Sequence, residues 1–252
     1  MSLTTQYLDR LSSSKRGAVI VLSGGMDSTI AMRLAVAKYG NSNVRALTFN
    51  YGQKQSREIQ MAGQSTAALG VKHKVLDLGI LGEISQGFSA NVDTGIEMPT
   101  IHDVLGDPRP KTYVPNRNMI LMSLCAAYAE VEDIDQIIMG LQVNDEYGYH
   151  DTTQRFVDKV NSVLSENRII KIEIIAPFAS ITKTDEIMLL KELDGNVNLL
   201  EHTLTCYNPN EKGQSCGKCP SCAERIKAFV NNRLIDPVPY SINIDWHRFM
   251  GL

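Results

Sequence analysis

The stretch that most limits what this chain can fold into lies near its N-terminus. Residues 17–23 (GAVIVLS) form a short apolar run without a polar face. Such a run reads as a strand buried on both sides. It leads directly into Ser23-Gly24-Gly25-Met26-Asp27-Ser28. From about Asp27 the spacing turns helical, with Ile30, Leu34 and Ala37 on one face. A buried strand, a two-glycine turn and a helix, in that order, open a strand–helix–strand unit, and such units build parallel sheets. The turn falls at the carboxyl end of the strand, where these sheets receive ligands.

The same rhythm continues. Residues 44–51 (VRALTFNY), 72–78 (KHKVLDL), 136–141 (QIIMGL) and 171–178 (KIEIIAPF) read as further strands. Between them, residues 54–69 read as a helix and 119–129 as a helix apolar on nearly all sides. Residues 151–166 read as a helix with Asp151 as N-cap and Phe156, Val160 and Leu164 facing inward. Thr182 is expected to cap the next helix with Asp185 three residues on, Ile187 and Leu190 facing the core, and Gly195 as the stop. The fold class is therefore α/β, a doubly wound parallel sheet. Two stretches break the pattern. Residues 79–116 are long, polar and punctuated by Gly and Pro, as functional loops are, and are the candidate lid. The cysteine-rich stretch near the C-terminus reads as a small module. The expected division is residues 1–198 and 199–252.

Composition narrows the functional classes. The 252 residues carry a formal net charge of -3, so the basic footprint of a nucleic-acid-binding domain is absent. No apolar run approaches the roughly 18 residues that suggest a membrane span. The first residues lack the apolar core of a signal peptide, and the expected location is the cytoplasm.

The turn at 23–28 is suited to phosphate. Two glycines let the backbone approach an anion closely, and the helix N-terminus offers free N–H groups and a positive dipole end. Ser23 and Ser28 add hydroxyls. Neither G-x-x-x-x-G-K-[ST] nor G-x-G-x-x-G is present, so the two commonest nucleotide signatures do not apply. A plain tight turn is the alternative reading.

Of five cysteines, Cys206, Cys216, Cys219 and Cys222 fall in a C-x9-C-x2-C-x2-C pattern. Four thiolates suit a closed tetrahedral zinc site with a structural role. An iron–sulfur cluster is the alternative. Cys125 sits inside the apolar helix and reads as a core residue.

The S-G-G-M-D-S element resembles the pyrophosphate loop of the N-type ATP pyrophosphatases, which have an adenine nucleotide alpha hydrolase-like fold. Combined with the cysteine pattern, it resembles the 7-cyano-7-deazaguanine synthase family. Local matches are Tyr51-Gly52-Gln53, Tyr113-Val114-Pro115-Asn116-Arg117-Asn118, Gly148-Tyr149-His150-Asp151, Ala176-Pro177-Phe178 with Thr182-Lys183, and Thr203, Thr205, Cys206 and Tyr207. There are departures. Asn116 stands where Gly is usual, His150 where Pro is usual, and Arg155 where an acidic residue precedes Phe156. All three are expected near the substrate pocket.

The resemblance implies an ATP-dependent carbon–nitrogen ligase. ATP would adenylate 7-carboxy-7-deazaguanine, ammonia would give the amide, and a second ATP would take the amide to the nitrile. It implies Mg²⁺ with ATP, structural Zn²⁺, a homodimer, and no direct nucleic-acid or membrane partner. Leu22, Ser23, Gly24, Gly25, Met26, Asp27, Ser28 and Thr29 would bind ATP. Asp27, Lys183 and Arg117 would be catalytic, with Asp27 orienting Mg²⁺ or its waters. Tyr113, Asn118 and Asp151 would bind the base. The alternatives are an enzyme that stops at the amide, a tRNA thiolation enzyme, and an ATP-binding sensor without turnover.

Overall fold

The computed structural model describes residues 2–11, 16–54, 56–98, 110–142 and 149–251. Five strands, β1 (Ala18–Val21), β2 (Val44–Asn50), β3 (Lys72–Asp77), β4 (Gln136–Met139) and β5 (Glu173–Ile175), form one sheet in the order β3-β2-β1-β4-β5. Every neighbouring pair is parallel, with Val21 opposite both Leu47 and Met139. β1, β4 and β5 are shorter than the apolar runs that suggest them. Beyond β1 one more ladder bond forms, in which the Leu22 N–H donates to the Leu47 carbonyl at 2.8 Å.

The pleat of β1 divides the core in two. Ala18 and Ile20 pack with α1 (Leu3–Arg10), α2 (Met26–Tyr39), α3 (Arg57–Leu69) and two later helices, α7 (Lys183–Asp194) and α8 (Pro220–Asn231). Val19 and Val21 pack on the other face with α5 (Arg117–Val131) and α6 (Gln154–Leu164). Two short helices, α4 (Gly79–Ile84) and α9 (Trp246–Met250), complete the described α-helices. Among the described residues no helix is long and apolar enough to cross a membrane. At the sheet edge, the Asn161 amide of α6 pairs with both the N–H and the C=O of Ile174, at 2.8 and 2.9 Å.

Several local expectations change. Ala37 is exposed, and the buried face of α2 runs through Ile30, Ala31, Leu34 and Ala35 instead. Asp151 does not cap α6. It lies buried in a 3₁₀ turn, His150–Thr152, and Thr153 is the cap, accepting from the Phe156 N–H at 3.2 Å. The inward face shifts accordingly to Val157, Val160 and Leu164. The stretch 79–116 is not loop throughout, because α4 forms with Gly82 against the Tyr51 carbonyl, where a Cβ would come within 2.3 Å. Leu81, Val92 and Val114 then make a small core of their own. Residues 99–109 of that candidate lid lie outside the described residues. In contrast, α7 has the full capping box of Thr182 and Asp185, and Gly195 ends it in the left-handed conformation.

Leu200, Ala228 and Phe229, from the C-terminal side of the expected division, belong to the same core cluster as α2 and α7. The connection is fixed by a buried ion pair. Arg225 is bidentate on Asp236 at 2.7 and 2.9 Å and also donates to Thr203 Oγ1 and the Leu200 carbonyl. Asp236 further accepts from the Val238 N–H and the Tyr240 hydroxyl. Removing one member of such a pair strands the other charge. Asp236→Ala is expected to destabilise the protein by about 3–5 kcal/mol in urea unfolding; a loss below about 1 kcal/mol would mean that Arg225 finds water.

Candidate active site

A cleft of about 340 Å³ opens at the carboxyl ends of β1, β2 and β4. That size is at the lower end for a small-molecule site. The turn after β1 forms its floor. Gly24 has φ +90°, and a Cβ there would lie 2.0 Å from the Glu58 carbonyl, so this position requires glycine. The Ser23 and Ser28 hydroxyls meet at 3.0 Å, the Gly25 N–H donates to Ser23 Oγ, and Ser28 Oγ donates to the Gly25 carbonyl. After β4, Gly140 passes against the start of α2, where a Cβ would lie 2.6 Å from the Ser28 nitrogen. Leu22, Ser23, Gly25, Asp27 and Ser28 line the cleft, whereas Met26 and Thr29 lie behind the turn in the core. Gly24 is also buried.

Lys183, the first residue of α7, reaches across to this turn. Its ammonium donates to Asp27 Oδ2 at 2.8 Å and stands 4.0 Å from Glu224. Burial works against the charged lysine, but Asp27, Glu186 and Glu224 outweigh it and raise its pKa above the ordinary value. One turn further along α7, Glu186 is fully buried and accepts from the Gln142 side-chain amide. Sequence reasoning missed Glu186, because an acid in the first turn of a capped helix reads as a solvated dipole partner.

The opposite wall carries Arg117 and Asn118 from the start of α5, with Tyr51, Gln53, Lys54 and Glu58. Arg117 donates to the Tyr51 hydroxyl at 3.3 Å. Burial opposes its charge, but Tyr51, Asp151 and Tyr149 hold its pKa up. Asn118 is buried and donates to the Asp151 carbonyl at 3.3 Å. Glu58 was also missed. Burial pushes its carboxyl up to about 8, with Arg117 pulling the other way. Its place seven residues beyond Tyr51 was the available signal.

Tyr113 and Asp151 do not line the described cleft. The Tyr113 ring packs on His150 at 5.5 Å, and its hydroxyl accepts from the Asn116 N–H. Asp151 lies beneath Asn118 with Oδ1 buried and without a donor among the described residues. The three departures also lie off the described wall. Arg155 and His150 are exposed on the surface, and Asn116 is the N-cap of α5 at φ 53°. Left-handed backbone there suits Gly, and Asn is among the non-glycine residues that tolerate it best.

The four cysteines expected to bind metal converge, with their sulfurs all within 4.8 Å of one another. Cys216 and Cys222 Sγ are 3.9 Å apart, close to the roughly 3.8 Å edge of a tetrahedron with 2.3 Å metal–sulfur bonds. Backbone N–H groups of Asn208, Cys216, Lys218, Cys219 and Cys222 point at three of these sulfurs, as suits thiolates. The donor set therefore fits a closed four-thiolate metal site. The cluster adjoins the cleft. The Leu204 N–H, two residues before Cys206, donates to the Gly24 carbonyl at 2.9 Å, while Thr205, Tyr207 and Ser221 line the wall.

Comparison with known proteins places the chain among related sequences. The 7-cyano-7-deazaguanine synthase of Pseudoalteromonas atlantica is 37% identical over 222 residues, 88% of this chain and 97% of that protein. That of Caldicellulosiruptor bescii is 34% identical over 229 residues, 91% of this chain and 99% of that protein. Among solved structures, NMN synthetase from Francisella tularensis shares the fold, with a TM-score of 0.51 at 16% identity over 99% of this chain and 92% of that one. Residues 17–233 match the family described as "Queuosine biosynthesis protein QueC", a span that holds the glycine turn, Arg117, Lys183 and all four clustered cysteines. The chain belongs to the QueC family.

Proposed function

We propose that this protein converts 7-carboxy-7-deazaguanine and ammonia into 7-cyano-7-deazaguanine, with two ATP cleaved to AMP and pyrophosphate. The observation that carries the reading is Lys183 on Asp27 at the mouth of the glycine turn. It sets a fixed cation where the β- and γ-phosphates would meet the N-terminus of α2. A carboxylate is a poor electrophile, and its adenylate supplies AMP as leaving group. The N–H groups in the first turn of α2 and the Lys183 ammonium would take up the charge growing on departing pyrophosphate. Arg117 and Asn118, on the opposite wall, would face the base and its carboxylate. Asp151 would act from beneath, by holding Asn118.

Mg²⁺ would arrive with ATP. Asp27 is a poor ligand for it, because Oδ2 is engaged by Lys183 and Oδ1 is buried. Asp27 is therefore assigned to Lys183, and the metal to the phosphates and water. The four thiolates would hold zinc, which closes the fold around residues 203–207 and takes no part in the chemistry. The thiolation alternative lacks a thiol: Cys125 is fully buried with its pKa raised by burial, and the other four cysteines face one another.

Incubation with Mg·ATP, ammonium and 7-carboxy-7-deazaguanine, followed by mass spectrometry, tests the assignment. Nitrile, AMP and pyrophosphate are expected. Amide alone would support the amide-forming alternative, and untouched acid without AMP would refute the substrate. Lys183→Ala is expected to lower kcat about 100-fold or more in pyrophosphate release, the scale of a lost transition-state donor. Unchanged turnover would remove Lys183 from the mechanism. Stripping the metal with a chelator is expected to raise the KM for ATP as well as lower the unfolding temperature, because Leu204 ties the cluster to Gly24. A chelated protein that melts earlier with an unaltered KM would separate the cluster from the nucleotide site.

A further inference from the structure

We propose that Glu186 is protonated and hydrogen-bonds Asp27 through that proton, and that it is a positioning residue which, as the neutral partner, holds Asp27 on Lys183 and limits the negative charge at the phosphate corner. Glu186 is fully buried, three residues along α7 from Lys183 and hence on the same side of the helix. Its Oε1 accepts from the Gln142 amide. Its Oε2 is buried without a donor among the described residues, and so is Asp27 Oδ1. Two adjacent carboxylates, each with a buried empty acceptor, would both carry the desolvation penalty of an unpaired polar atom. One proton on Glu186 removes both vacancies by making an O–H···O bond between the side chains. Burial and then Asp27 push the Glu186 carboxyl well above its usual range, which agrees with the geometry.

The surrounding groups decide the charge. Tyr7, with Arg10 over its ring, faces the pair from α1, Asp27 comes from α2, Lys183 and Asp185 from α7, and Glu224 and Arg225 from α8. Arg225 is neutralised by Asp236. Asp27 and Lys183 cancel one another. An ionised Glu186 would add a further negative charge to that of Glu224 beside the turn that, on the function proposed above, receives a triphosphate. The pair differs from a plain buried acid in that its proton sets the orientation of the lysine-bearing carboxylate. This step rests on the nucleotide reading, but the proton itself does not.

Infrared difference spectra between wild type and Glu186→Gln at neutral pH read the proton directly. A protonated-carboxyl C=O band that moves in D2O and is lost in the variant is expected; a spectrum with no such difference would overturn the proposal. Glu58, pushed up to about 8, has its own band, which Glu186→Gln leaves in place. Mg·ATP titration then reads the positioning. Glu186→Gln, which keeps a neutral donor, is expected within about twofold of wild type, and Glu186→Ala about tenfold weaker, as one lost buried hydrogen bond predicts. Raising the pH through the Glu186 pKa is expected to weaken nucleotide binding in wild type and leave Glu186→Gln unaffected. Equal weakening in Gln and Ala would reject the role of the neutral acid. The band without nucleotide binding in wild type would keep the Glu186 proton and refute the nucleotide reading instead.

Discussion

Crossovers between parallel strands turn right-handed. From β1 the chain proceeds to β2 through α2, with that helix on one face of the sheet; from β4 it proceeds to β5 through α6, on the other face. Because the two moves run in opposite directions along the sheet, handedness obliges the helices to take opposite faces. The chains leaving β1 and β4 therefore part company, and a crevice is left between their ends. The candidate site residues Lys183, Asp27, Arg117 and Asn118 stand around that parting. Its width is set by backbone contact, for Gly140 lies against Ser28 and Gly24 against the Glu58 carbonyl.

Around the crevice, side chains far apart in sequence divide the work by charge. One wall brings Lys183 and Asp27 together beside the glycine turn, and the other presents Arg117 beside Tyr51. The C-terminal segment closes the ring. Leu204 bonds to Gly24, and Arg225 anchors the same segment from behind. The four-cysteine cluster is thus tied to the glycine turn by a backbone hydrogen bond only two residues from its first cysteine. The buried Arg225–Asp236 pair gives that bond a rigid backing.

The sequence made the architecture readable because each strand-to-helix unit carries its own periodicity. The glycine turn, the Thr182 cap and the cysteine spacing are local patterns that need no tertiary context. What escaped was whatever depended on it. Asp151 has the chemistry of an N-cap, but Thr153 took that position and left Asp151 buried under Asn118. Tyr113 belongs to a matching motif yet turns its ring to His150. Glu186 and Glu58 look like surface acids until the fold encloses them, since burial is a property of neighbours that no local pattern contains.

Asn116 has a consequence beyond backbone compatibility. Glycine at a left-handed position is unstrained in the folded chain but leaves the unfolded chain unusually free. A side chain at that position costs some strain and returns part of it by restricting the denatured ensemble, an exchange of about 0.4–1 kcal/mol where the conformation is tolerated. Since Asn116 is exposed at the N-cap of α5, directly before Arg117, this exchange acts on how the wall is assembled from the disordered chain. Exchange of Asn116 for Gly would thus change stability through the unfolded chain, with no contact in the lining of the cleft gained or lost.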